Sequence, residues 1–172
     1  MPKTAQVTAY IGVGSNLEDP LDQVRRALLE LDQLPLTRCV RHSSLYRTPP
    51  VGPVAQPHYI NAVARLMTDL APEPLLDALQ AMERRHFRVR RGPRWGPRTL
   101  DLDLLLYGIQ GYTSERLEIP HPQLVHRAFV LLPLAEIAPQ DLQVPGCGPL
   151  ADLLTQVSPD GIERLPRDAA RI

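Results

Sequence analysis

The apolar residues of this chain change their period several times, and the order of those changes restricts the fold more than any other feature. Gln6 to Val13 alternates small and β-prone side chains and then meets Gly14-Ser15-Asn16, which reads as a strand running into a turn. Pro20 to Leu34 shifts to helical spacing, with Leu21, Val24, Leu28 and Leu31 on one face and Asp19 placed to cap the first turn. Thr37 to Arg47 alternates loosely as a strand, and Thr48-Pro49-Pro50-Val51-Gly52-Pro53 interrupts it with sequence unfit for regular structure. His58 to Thr68 alternates again. Pro74 to His86 is helical, with Leu75, Leu76, Leu79 and Met82 on one face. Thr99 to Tyr107 is close to continuously apolar, the pattern of a strand central in its sheet. Strand, helix, strand, strand, helix, strand is the split βαβ order. The expected class is therefore α+β, a ferredoxin-like βαββαβ core followed by a C-terminal hairpin near Gly111 to Ile119 and further helices, His126 to Ile137 and Leu150 to Val157. The stretch after these is expected to be peripheral.

One domain covering residues 1–172 suits this length, which is enough to bury a sizeable core. The N-terminus has no charged start followed by an apolar run, so no leader is expected. Leu102 to Tyr107 is interrupted by Asp103 and far too short to span a bilayer. Cys39 and Cys147 have neither metal-binding nor redox spacing, which fits reduced thiols and a cytoplasmic location. A net charge of +0 argues against a bulk polyanion binder. The distribution is less even. Lys3 is the only lysine, and the segment from Arg84 to Arg98 carries seven arginines and no acid.

Asp101 and Asp103 sit two residues apart inside the apolar strand, so their carboxylates share one face while Leu100, Leu102 and Leu104 share the other. Two surface aspartates on a half-exposed strand would be the plain explanation. If the strand is buried, two like charges need a compensating cation or proton, and magnesium takes one or two such carboxylates, completed by water and phosphate oxygens. The arginine-rich segment leads straight into this strand. It can be a solvated basic loop, a nucleic-acid patch, or a set of forks for a polyphosphate. The adjoining aspartates favour the polyphosphate, because carboxylates repel an RNA backbone. An RNA-recognition module of this topology also needs aromatic residues on its central strands, and Thr99 to Tyr107 offers only Tyr107. No nucleic-acid partner is expected.

The run Arg94-Trp95-Gly96-Pro97-Arg98-Thr99-Leu100-Asp101-Leu102-Asp103 resembles the signature of the 6-hydroxymethyl-7,8-dihydropterin pyrophosphokinase family of the folate pathway. Other blocks resemble it in order and spacing: Gly14-Ser15-Asn16-Leu17, Tyr46-Arg47-Thr48-Pro49-Pro50 with Gly52-Pro53, Tyr59-Ile60-Asn61, Gln80 with Glu83, and Arg88-Val89-Arg90. Pro120-His121-Pro122, Arg127-Ala128-Phe129 and Glu136-Ile137-Ala138-Pro139 continue the agreement. The resemblance runs from about Thr8 to Pro139.

The resemblance implies a single pyrophosphokinase domain that moves the β,γ-diphosphate of ATP onto the pterin hydroxymethyl oxygen and releases AMP. It implies two magnesium ions on Asp101 and Asp103. Arg88 and Arg98 match catalytic, phosphate-handling arginines. Gln80, Glu83, Arg90, Arg98, Leu104, His121 and Arg127 match the nucleotide side. Thr48, Pro49, Val51, Tyr59, Asn61, Trp95 and Phe129 match the pterin side, with Tyr59 and Phe129 as stacking rings and Asn61 reading the pterin edge. ATP and the reduced pterin are the expected partners, and a monomer is the expected state.

Gly12, Gly14 and Asn16 read as a tight turn near the substrate, since no Walker lysine follows them. Two positions depart from many relatives: Phe87 stands where glycine is common, and Pro122 where some carry an aromatic residue. Gly92-Pro93 and Gly96-Pro97 are joints in a like-charged segment, so the arginine loop is expected to order over bound nucleotide. A binding module without turnover and a plain kinase that moves only the γ phosphate are the competing functions.

Overall fold

The computed structural model describes residues 6–17, 19–49, 57–86 and 99–166. Its elements in chain order are β1 (Val7–Ser15), α1 (Pro20–Leu31), β2 (Thr37–His42), β3 (Tyr46–Thr48), β4 (Tyr59–Thr68), α2 (Pro72–His86) and β5 (Asp101–Tyr107). The hairpin β6 (Tyr112–Thr113) and β7 (Glu118–Ile119) follows, then a 3-10 turn at Leu124–His126 and α3 (Ala128–Ile137). The chain continues through β8 (Gln143–Val144), β9 (Gly148–Pro149), α4 (Leu150–Leu154) and β10 (Glu163–Arg164).

The main sheet is antiparallel, in the order β10-β3-β4-β1-β5, with β2 also paired to β4. One face is covered by α1 and α2. Val24, Ala27, Leu28 and Leu31 of α1 and Leu75, Leu79 and Met82 of α2 pack on Ala9, Ile11, Val13, Leu102 and Leu104. Helix spacing and strand alternation meet in this layer, as the sequence periods require. The other face is covered in part by α3 and α4, where Val130, Leu131, Leu134, Ile137, Leu150 and Leu153 bury Tyr10, Val63, Leu105 and Leu106.

Four expectations need correction. The strand read as central, β5, is an edge strand whose one neighbour among the described residues is β1. Its continuous hydrophobicity comes from helices on both faces. A bulge adds to it: Ile11 pairs with Leu104 and Tyr10 with Leu106, so Leu105 is the extra residue. Leu105 and Leu106 both face α3, and Tyr107 returns to the first core. The segment Thr37 to Arg47 is two strands, because Ser43 and Ser44 leave the regular ladder. The Ser44 N–H goes to the Glu136 carboxylate at 3.0 Å, and the Ser43 hydroxyl accepts from the Val63 N–H at 2.9 Å. Gly12 and Gly14 are not a turn, since β1 continues to Ser15. The tail is not wholly peripheral: β10 pairs with β3, and the buried Leu165 donates its N–H to the Leu45 carbonyl at 2.9 Å.

Asp19 caps α1 as expected, accepting from the Asp22 N–H at 3.4 Å. α1 ends at Leu31, three residues earlier than read, and α2 starts two residues earlier, at Pro72. Among the described residues no helix is long and apolar enough to cross a membrane.

Candidate active site

The sheet face under α3 changes character along its strands. On β1 the residues on this face run Tyr10, Gly12, Gly14; on β4 they run Val63, Asn61, Tyr59. Gly12 pairs with Val63 on one side and Asp103 on the other, and Gly14 pairs with Asn61 and Asp101. Apolar side chains under α3 thus give way to a floor with no β1 side chains, flanked by an amide and two carboxylates. Both glycines are needed for openness, and Gly14 also for close approach. A Cβ at Gly14 would stand 2.7 Å from Asn61 Oδ1, against 3.5 Å from Leu105 for one at Gly12.

A cavity of about 430 Å³ stands over this floor. Thr48, Pro49, Tyr59, Asn61, Asp101 and Asp103 line it from the sheet side, and Gln123, His126, Arg127, Phe129 and Val130 from the 3-10 turn and α3. Asn61 is nearly buried, and its Nδ2 donates to Thr48 Oγ1 at 2.8 Å, so one amide donor is spent on orientation. The Arg127 guanidinium lies 5.6 Å from the centre of the Phe129 ring. A second hollow of about 380 Å³ lies on the outer side of β5, lined by Leu76, Leu104, Arg116, Glu118 and His121, and it shares Asp103 with the first.

His121 is held by its backbone, which donates to the Leu105 carbonyl at 3.0 Å. Its Nδ1 accepts from the Gln123 N–H at 3.1 Å, which assigns the remaining ring proton to Nε2, 3.8 Å from Asp103 Oδ1. Burial pushes the His121 pKa below the ordinary 6.5, against the opposing pull of Asp103 and with help from Arg127. The shift favours the neutral ring, with Nε2 on the side of the Asp103 carboxylate.

The predicted residues divide clearly. Thr48, Pro49, Tyr59, Asn61 and Phe129 line one cavity together with Asp101 and Asp103. His121 and Leu104 line the adjoining hollow. Arg127 lies at the first cavity rather than the second. Gln80 and Glu83 line neither. Glu83 Oε2 accepts the Leu102 N–H at 2.8 Å and so covers the outer edge of β5, while Gln80 Oε1 accepts from Arg116 at 3.3 Å. Val51, Arg88, Arg90, Trp95 and Arg98 lie outside the described residues, as do Phe87 and the arginine loop with its expected ordering. The sequence reading missed Gln123, His126 and Arg116. The first two stand between His121 and Phe129, both already singled out, so the segment itself was the signal. Arg116, a lone arginine in a hairpin, gave none.

Asp101 and Asp103 are the residues that can hold a hard divalent cation. Among the described residues no cluster of three or more His, Cys, Asp or Glu side chains is arranged to hold a metal. Two carboxylates at an open cavity fit a cation whose other ligands are water and phosphate.

The family model for 7,8-dihydro-6-hydroxymethylpterin-pyrophosphokinase matches residues 10–139. The chain belongs to this family. The 2-amino-4-hydroxy-6-hydroxymethyldihydropteridine pyrophosphokinase of Pseudomonas aeruginosa is 52% identical over 157 residues, covering 91% of this chain and 96% of that protein. The protein of the same name from Haemophilus influenzae is 49% identical over 150 residues, covering 87% and 92%. Among solved structures, wild-type Plasmodium falciparum HPPK-DHPS with pteroate superposes with a TM-score of 0.70 at 13% identity, a likeness of fold. That match covers 90% of this chain and 45% of the Plasmodium chain, so this chain spans under half of that longer protein. The fold in which this chain resembles that structure is mixed α and β with an antiparallel sheet.

Proposed function

We propose that this chain transfers the β,γ-diphosphate of ATP to the hydroxymethyl oxygen of 6-hydroxymethyl-7,8-dihydropterin and releases AMP, within folate biosynthesis. It is a transferase of the pyrophosphokinase class, with ATP as co-substrate. One observation carries the reading: Asp101 and Asp103 stand where a cavity suited to a flat heterocycle meets a second hollow, and Asp103 lines both.

The pterin stacks between Tyr59 and Phe129, and its donor and acceptor edge meets Asn61 with Thr48 and Pro49. That pose turns the hydroxymethyl group toward Asp101 and Asp103. The triphosphate crosses from the hollow beside Leu104 and His121, with Nε2–H of His121 and the Arg127 guanidinium available to phosphate oxygens. A bond forms between the hydroxymethyl oxygen and the β phosphorus, the hydroxyl proton passes to solvent, and the bridge to the α phosphate breaks, its electron pair leaving with AMP. Two Mg2+ ions held by Asp101 and Asp103 would supply charge neutralisation on the triphosphate. For Val51, Arg88, Arg90, Trp95 and Arg98 the proposal rests on the sequence resemblance alone, and for Gln80 and Glu83 it places them behind the nucleotide side. The chain's own contribution is orientation: rigid strands fix both carboxylates, and stacking fixes the acceptor.

The finer architectural readings belong to the same proposal. The order β2/β3-β4-β1-β5, with α1 and α2 on one face, supports a ferredoxin-like βαββαβ core. We read residues 1–172 as one pyrophosphokinase domain, acting as a cytoplasmic monomer without a nucleic-acid partner.

Asp101→Asn and Asp103→Asn test the site. Each keeps size and removes like-charge repulsion, so each variant stays folded, yet each should lose roughly a hundredfold or more in turnover as the phosphate is misplaced. Near-normal turnover in both variants at ordinary magnesium sinks the assignment.

A further inference from the structure

Glu136 takes no part in the chemistry above, yet it is among the most heavily bonded side chains described. It lies on α3 about two turns beyond Phe129 and is 14% exposed. The Ser44 N–H reaches both carboxylate oxygens at 3.0 Å, the Ser44 hydroxyl donates at 2.9 Å, and the Tyr46 hydroxyl at 2.7 Å. Arg164 of β10 donates through Nη2 at 3.2 Å and, through Nε, to the Ser44 hydroxyl at 3.1 Å. Burial opposes ionisation of Glu136, but these hydrogen bonds and the Arg164 charge outweigh it and hold the carboxyl below its ordinary range. Burial and the same carboxylate push the Tyr46 hydroxyl far above the usual tyrosine value, so it remains a donor.

What this node fixes is the spacing between two walls of the cavity. Tyr46 is the register partner of Asn61, and Thr48, two residues on, is the partner of Tyr59. Thr48 Oγ1 in turn holds the Asn61 amide. The ring of Phe129 belongs to the helix that carries Glu136. Arg164 is half-exposed, so solvent screens its charge and the ion pair by itself contributes little to joining the two layers. The distinctive property of the node is direction: four donors around one carboxylate define a position.

We propose that Glu136 is a positioning residue for the pterin slot, locking β3 with its Thr48–Asn61 pair to the helix of Phe129, with Arg164 of the C-terminal strand completing the lock. The inference rests on the reading of the 430 Å³ cavity as the pterin site. It also gives the tail a part in substrate binding.

The test measures pterin affinity, at a saturating non-hydrolysable ATP analogue with magnesium, and analogue affinity alone. Both are taken for the unaltered protein, Glu136→Gln, Tyr46→Phe and Phe129→Ala, with a melting curve for each. Tyr46→Phe keeps the ring and removes one donor, so it carries the test if Glu136→Gln does not fold. The proposal expects Glu136→Gln and Tyr46→Phe to weaken pterin binding by roughly tenfold and several-fold, with analogue affinity changed less than about twofold. A general loss of stability would move both ligands together, and equal losses overturn the proposal. If Phe129→Ala alone weakens pterin binding, the slot stands and the positioning role falls. If Phe129→Ala also binds pterin normally, the slot reading itself fails and the proposal fails with it.

Discussion

Asp101 and Asp103 owe their legibility to chemistry at the scale of single residues. Period two puts them on one face, and leucines occupy the other, so the pair was readable before any fold was known. Glu136 was not readable in the same way, because its partners Ser44, Tyr46 and Arg164 are brought to it only by the folded chain. Its ionisation makes a prediction about stability. The folded pKa lies below the ordinary 4.5, so the node contributes stability that is present above that value and lost as pH falls through the folded one. Glu136→Gln, which cannot titrate, should therefore melt below the unaltered protein at neutral pH. The gap should close as pH falls below the ordinary value and through the lower folded one. Melting curves across that range check it, and a gap independent of pH contradicts the assignment.

Among the elements, β1 does most to shape the site. Its inward residues pack on α1, while Gly12 and Gly14 leave the opposite face bare beside both aspartates. Gly14→Ala should press on Asn61, because the new Cβ would come within 2.7 Å of the amide oxygen. The amide lies at the cavity edge and can rotate, so the fold should survive. The Thr48–Asn61 hydrogen bond should not, and pterin affinity should fall by about 1–2 kcal/mol. A titration that finds pterin bound as before, in a protein that melts normally, would show that the amide is not held there for recognition. Element types were largely visible in the sequence, since each long segment has a clear period. What escaped was set by tertiary context. Nothing local in Thr37 to Arg47 announces that Ser44 turns its N–H to a helix ninety-two residues on. Nothing in Leu102 to Tyr107 separates a central strand from an edge strand covered on both faces. A two-residue strand at Glu163–Arg164 is too short for any period to mark.

At the scale of the whole molecule, the antiparallel sheet sets two hollows side by side and runs one acidic strand between them. The ring, amide and hydroxyl residues lie at the larger hollow and His121 at the other, with Asp103 common to both. This arrangement fits the proposed reaction, in which two substrates meet beside the acidic strand. Diphosphate transfer, γ-phosphate transfer and binding without turnover differ in one observable. The protein is incubated with magnesium, ATP and the reduced pterin, and the nucleotide released is identified. The account predicts AMP, formed in step with pterin diphosphate and absent without pterin. Release of ADP, or a pterin that stays bound and unchanged, would contradict it.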